Sequence, residues 1–268
     1  MRKDVTVLES SFTCKRGDLT IRGIVAREKG KENLPIVIVS HGFMTNHESV
    51  LGYVRQFARW GYAAFCFDFC GGCIVGSSDG KTTDMTVFTE REDLKAVIAY
   101  AKTQDYVDAE TLLLMGCSQG GFVSGLTAAE LGDAVTALVM FYPALSIPDD
   151  ARRGSMVMAR FDPEDIPETI LCGPMMIGRC YPEVVMDMDP FEEIKVYGGP
   201  VFIAHGTRDR LVPVTYSEKA YAAYTDGADQ KPRRKLLLIE GADHGFSSEY
   251  AEIAINGLET FLDANGLK

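Results

Sequence analysis

Short apolar runs alternate along this chain with longer amphipathic stretches, and the alternation predicts its elements. Runs near residues 36–40, 63–69, 111–115, 137–143, 200–206 and 235–241 have the length and the β-branched and aromatic content of buried strands. Residues 5–13 and 18–26 read as an opening antiparallel pair, with Lys15-Arg16-Gly17 as the turn. Helical periodicity is expected near 48–60, 86–103, 119–131, 214–225 and 248–264. Strands that alternate with helices make an α/β fold. We expect an eight-stranded, mostly parallel sheet covered by helices on both faces. No internal repeat or low-complexity linker divides the chain, so residues 1–268 read as one catalytic domain.

The rhythm breaks once, between Pro143 and Ile194. That stretch is rich in Pro, Asp and Met (Met156, Met158, Met175, Met176, Met186, Met188) and too hydrophobic for a disordered linker. It reads as a lid inserted at about 145–194. Its thioethers either line an adaptable apolar pocket or pack the lid onto the body, and both can hold together.

Composition then narrows the partners. The 46% apolar content supplies a substantial core, and a net charge of −11 argues against nucleic acid or an anionic membrane. No apolar run approaches a membrane span, and the N-terminal MRKDVTVLES lacks the apolar stretch of a signal peptide. Seven cysteines without an export signal suggest free thiols in the cytoplasm. The expected partner is a small-molecule ester substrate, and a homodimer is compatible with the sequence.

The chemistry starts at Thr111-Leu-Leu-Leu-Met-Gly-Cys-Ser118-Gln-Gly-Gly. A strand leads into G-x-S-x-G and then a helix-like run, the pattern of a tight turn that lifts a serine hydroxyl clear of a sheet edge. A serine needs a base, and the base needs an orienting acid. His244 follows the strand near 235–241 in Glu240-Gly-Ala-Asp-His244, and Asp209 follows the strand ending His205-Gly206. Both sit past the carboxyl ends of strands, where an open parallel sheet gathers its site. Asp243 is the poorer acid, because sequence neighbours project differently.

The strand at 36–40 runs into His41-Gly-Phe43, so the Phe43 and Gln119 backbone N–H groups are the expected donors to an oxyanion. His41 and His205 read as structural rings that brace their loops. Cys66, Cys70 and Cys73 have a C-x3-C-x2-C spacing that can hold iron–sulfur or zinc. Cys66, however, falls inside an apolar strand as a small hydrophobe. We expect no metal and no cofactor.

Together His41-Gly-Phe, Ser118-Gln-Gly-Gly, His205-Gly-Thr-Arg-Asp209 and Glu240-Gly-Ala-Asp-His244 resemble α/β-hydrolases over essentially the whole chain. With SDGKTTDMT at 78–86 added, the chain looks most like the cinnamoyl (feruloyl) esterases of gut bacteria. The resemblance implies Ser118 as nucleophile, Asp209 as acid, His244 as base and Phe43 and Gln119 as oxyanion donors. It also implies a lid after the sixth strand whose Asp150 or Asp149 reads a phenolic hydroxyl. The chain departs from the family at 70–76, where the loop after the fourth strand is longer. The expected reaction is two-step acyl transfer on hydroxycinnamate or similar small to medium esters. A serine peptidase or acyl-peptide hydrolase shares the triad, and a non-catalytic binding protein shares the fold.

Overall fold

The computed structural model describes residues 5–225 and 233–268. Ten strands are present among them: β1 Val7–Arg16, β2 Leu19–Glu28, β3 Leu34–Ser40, β4 Ala63–Phe67, β5 Val107–Cys117, β6 Ala137–Phe141, β7 Thr169–Cys172, β8 Met175–Gly178, β9 Val201–Gly206 and β10 Arg234–Ile239. The helices are α1 Leu51–Arg59, α2 Val87–Lys102, α3 Gln119–Leu131, α4 Ile147–Arg152, α5 Cys180–Met186, α6 Pro190–Ile194, α7 Thr215–Thr225 and α8 Ser248–Ala264. Eight strands form one sheet in the order β1-β2-β4-β3-β5-β6-β9-β10, and β7 and β8 form a separate hairpin. Only the β1–β2 and β2–β4 pairs of the large sheet are antiparallel. This is the α/β-hydrolase fold.

Central strands are apolar on both sides because both sides are covered. Ile36 and Ile38 of β3 enter one core, and Val37 and Val39 enter the other. That two-faced burial explains why these segments read as continuous apolar runs. Helix α2 begins where Thr86 and Thr89 cap one another's backbone N–H groups, a reciprocal capping box.

The opening hairpin turns one residue later than the sequence suggests. β1 runs to Arg16, and Gly17 with Asp18 makes a two-residue turn. Gly17 supplies the positive φ (+56°) that such a turn needs. The strand expected at 63–69 stops at Phe67, because the Asp68 carboxylate accepts from the His47 and Ser77 N–H groups and holds a loop. The helix expected from 48 opens instead as a 3-10 turn over His47–Val50.

Between β6 and β9 lie α4, the β7–β8 hairpin, α5 and α6. The hairpin alternates: Ile170, Cys172, Met175 and Ile177 are buried, whereas Leu171 and Met176 are exposed. Of the six methionines in this stretch, Met156, Met175 and Met188 are buried. Met156 and Met158 line the cavity described below. Packing and lining are thus divided among them.

Candidate active site

Three parallel strands deliver the hydroxyl, the imidazole and the carboxylate to one end of the sheet. β5 ends at Cys117, and Ser118 follows with φ +55° and ψ −122°, a conformation that L-residues rarely take. The flanking glycines are required by close approach. A Cβ on Gly116 would sit 2.0 Å from the Gly120 carbonyl oxygen, and one on Gly120 would sit 2.3 Å from that of His41. The Ser118 N–H donates to the Phe141 carbonyl, and its own carbonyl accepts from Gly121 and Ala144, so the turn is tied on both sides.

Ser118 Oγ lies 2.9 Å from His244 Nε2, and His244 Nδ1 lies 2.7 Å from Asp209 Oδ2. The residues expected to act together are brought together. The Asp209 side chain is fully buried, and its other oxygen accepts from the Leu211 and Val212 N–H groups. His205, also fully buried, donates from Nε2 to Asp209 Oδ2 at 3.0 Å, while Ser217 lies 2.6 Å from its Nδ1. Burial opposes ionisation of Asp209, but the hydrogen bonds from His205 and His244 prevail and hold its pKa below the usual carboxylate range. The carboxylate is therefore charged at neutral pH.

Phe43 and Gln119 border the same cavity as Ser118, and neither backbone N–H has a backbone acceptor among the described residues. Gln119 opens α3, whose N-terminus adds partial positive charge. His41 is buried and accepts the Phe69 N–H on Nε2, so its Nδ1–H donates to the Gly42 carbonyl. Burial lowers its pKa, which keeps the ring neutral in this bracing role.

The cavity above Ser118 measures about 420 Å³ and is mainly apolar, with Met44, Ile147, Met156 and Leu211 in its wall. Ser146 and Asp150 add polar atoms. Asp150 is part-buried, accepts from Ser146 Oγ and from Arg153, and has its pKa raised by burial. Asp149 instead accepts from the Tyr216 hydroxyl at 2.6 Å and from Arg152, and does not line the cavity. Of the two aspartates, Asp150 faces the site.

The cysteines at 66, 70 and 73 do not converge. Cys66 is buried in one core and Cys70 in the other, on opposite faces of the sheet. All seven cysteines are unpaired. Among the described residues no group of three or more His, Cys, Asp or Glu side chains is placed to hold a metal ion, and no helix is long and apolar enough to cross a membrane.

Sequence reasoning missed three contributors. Tyr142, with φ +38°, sets its ring edge-on to His244 at 4.7 Å between centroids. It ends an apolar run and so reads as core. Glu90 lies mid-helix, where a carboxylate ordinarily faces water, yet it is buried and accepts from Gln119 Nε2 at 2.7 Å. Tyr181 of α5 donates to Gln119 Oε1.

The model of the family described as serine aminopeptidase, S33, matches residues 31–171, and the chain belongs to that family. Among solved structures it is similar to Est1E from Butyrivibrio proteoclasticus with ferulic acid bound. That match has a TM-score of 0.84 and 28% identity and covers 94% of this chain and 98% of that one. Among sequences it is 26% identical to the uncharacterized protein YfhR of Salmonella typhimurium, over 94% of this chain and 80% of the relative. It is also 31% identical to esterase LipC of Mycobacterium tuberculosis, over 58% of this chain and 40% of that protein. The chain is a hydrolase of the α/β-hydrolase superfamily, close to the feruloyl esterases.

Proposed function

We propose that Ser118, His244 and Asp209 are the catalytic triad of a serine carboxylesterase whose substrates are hydroxycinnamate (feruloyl or coumaroyl) esters. The observation that carries this reading is the unbroken hydrogen-bonded chain from Asp209 through His244 to Ser118 beneath an apolar cavity. Ser118 Oγ attacks the ester carbonyl as His244 Nε2 takes its proton. The charged Asp209 holds the imidazole with its proton on Nδ1 and stabilises the imidazolium that forms. The Phe43 and Gln119 N–H groups receive the negative oxygen of the tetrahedral intermediate. His244 then protonates the departing alcohol, and water, deprotonated by the same ring, releases the acid.

The residues at 145–194 act as the lid in this reading, with Met156 and Tyr181 from it bordering the cavity. Burying an aromatic acyl group removes roughly 150 Å² from water, worth a few kcal/mol at ~25 cal/mol per Å² before ordering costs. Asp150 is the acceptor for a phenolic hydroxyl. The ferulic acid named in the Est1E complex supports this substrate class.

The matched family's name makes aminoacyl amides the second reading. A free α-ammonium group needs a full counter-charge, and that of Asp150 is shared with Arg153, whereas a neutral phenol needs only an acceptor lone pair on its carboxylate. Esters are therefore favoured. The test is a panel of methyl ferulate, methyl p-coumarate, acetate esters and aminoacyl p-nitroanilides, with fluorophosphonate labelling of Ser118. Higher kcat/KM on the hydroxycinnamates supports the proposal. Good acetate turnover with untouched hydroxycinnamates reduces it to a general esterase, and the lack of an adduct on Ser118 removes the enzyme.

A further inference from the structure

We infer that Tyr181 is a positioning residue for the oxyanion site, so that the segment between β6 and β9 supports the transition state as well as bordering the cavity. The inference rests on the proposed roles of Phe43 and Gln119. Tyr181 and Gln119 are each 1% exposed. The Gln119 side-chain amide is held at both ends: its oxygen accepts from the Tyr181 hydroxyl, and its Nε2 donates to Glu90 Oε2 at 2.7 Å. Tyr181 also sets its ring 5.8 Å from that of Phe43, tilted by 53°. A single side chain thus touches both residues whose N–H groups are the proposed donors.

The physical consequence follows from where Gln119 stands. It is the first residue of α3, one bond past the strained Ser118, and the direction of its N–H depends on how that first turn is held. Glu90 on α2 and Tyr181 on α5 grip its side chain from two other elements. With Tyr181 reduced to phenylalanine, the buried amide oxygen loses its donor, and the amide must turn or shift to recover one. An oxyanion donor acts only within a few tenths of an ångström of the developing charge, and a misplacement of ~1 Å can cost ~10²-fold.

Tyr181 borders the cavity as well, so the test must separate support of the donors from contact with substrate. An acetate ester serves, because its acyl methyl is too short to exploit an aromatic acyl pocket. For Tyr181→Phe we expect kcat on p-nitrophenyl acetate to fall roughly tenfold to a hundredfold with KM unchanged, and kcat on methyl ferulate to fall by the same factor. Affinity for a small trifluoromethyl ketone should fall in step with kcat/KM. Gln119→Met keeps the backbone N–H and the side-chain bulk, and should reproduce the loss. The double variant should be no worse than Gln119→Met alone, which already lacks the Tyr181 contact as well as the one to Glu90. Unchanged kcat on acetate in folded Tyr181→Phe, with KM raised only for ferulate, would assign Tyr181 to substrate contact and overturn the inference. So would additive losses in the double variant. If Tyr181→Phe does not fold, parental acetate turnover by folded Gln119→Met is the overturning result. A parent protein that hydrolyses no ester strikes the esterase proposal itself and is seen before any variant is made.

Discussion

Asp209 Oδ2 takes a hydrogen from two imidazoles at once, and this sharing sets the terms for the proposed triad. His205 keeps the carboxylate charged from behind, so His244 meets a full negative charge at Nδ1. Ser118→Ala or His244→Ala is expected to lower kcat by roughly 10⁴ or more, as for other serine triads. Asp209→Asn should cost somewhat less and leave the fold intact. Near-normal turnover by Asp209→Asn in steady-state assays would move the acid elsewhere. All three positions are legible in the sequence, because each follows a readable strand and the order Ser, Asp, His is itself informative. Glu90, Tyr142 and Tyr181 are not. Their residue types have ordinary helical or core readings, and only the packing of α2, β6 and α5 around the elbow gives them another one.

Element boundaries move where local chemistry intervenes. Asp68 ends β4 early by taking backbone N–H groups, and the Gly17 turn shifts with the extra length of β1. The stretch from 145 to 194 is legible as an interruption but not as three short helices and two short strands, since pieces of four to seven residues carry too little periodicity to read. Helix α4 brings Asp150 to the cavity and turns Asp149 toward Tyr216. Asp150→Asn should therefore narrow the kcat/KM preference for methyl p-coumarate over methyl cinnamate, which lacks the phenolic hydroxyl. A charged hydrogen bond to that hydroxyl is worth ~1.5–3 kcal/mol, or roughly tenfold to a hundredfold. Asp149→Asn should leave the ratio alone. Equal ratios in parent and Asp150→Asn would remove the aspartate from recognition.

Across the whole molecule, two buried carboxyls pull stability in opposite directions with pH. Asp209 is stabilised in its charged form, so its contribution is present above the unfolded pKa of ~3.9 and is lost as the pH falls through its lower folded value. Glu90 has its pKa raised well above the ordinary value, chiefly by burial and further by the charge of Asp93, against the hydrogen bond from Gln119. Its contribution is complete below the unfolded pKa of ~4.3 and is lost as the pH rises through the folded value. Thermal midpoints of Glu90→Gln and the parent should therefore converge near about pH 5, and the variant should gain on the parent as the pH is raised toward about 9. A gap that stays constant over that range would show that Glu90 ionises alike in the folded and the unfolded chain.

The backbone of Ser118 implies that activity and robustness compete at one residue. A side chain held at φ +55° costs ~1–3 kcal/mol that a glycine does not incur, whereas the entropy lost by a glycine is only about 0.5–1 kcal/mol. Ser118→Ala and Ser118→Gly both lose the hydroxyl and its bond to His244, so their difference isolates the conformational cost. Ser118→Gly should melt a few degrees above Ser118→Ala, since ~1 kcal/mol corresponds to ~2–4 °C in a chain of this size. Equal melting points by calorimetry would mean that the elbow is relaxed. A higher one for glycine would mean that the chain is kept below its attainable stability by the residue proposed as its nucleophile, so that drift toward a sturdier protein leads through loss of that hydroxyl.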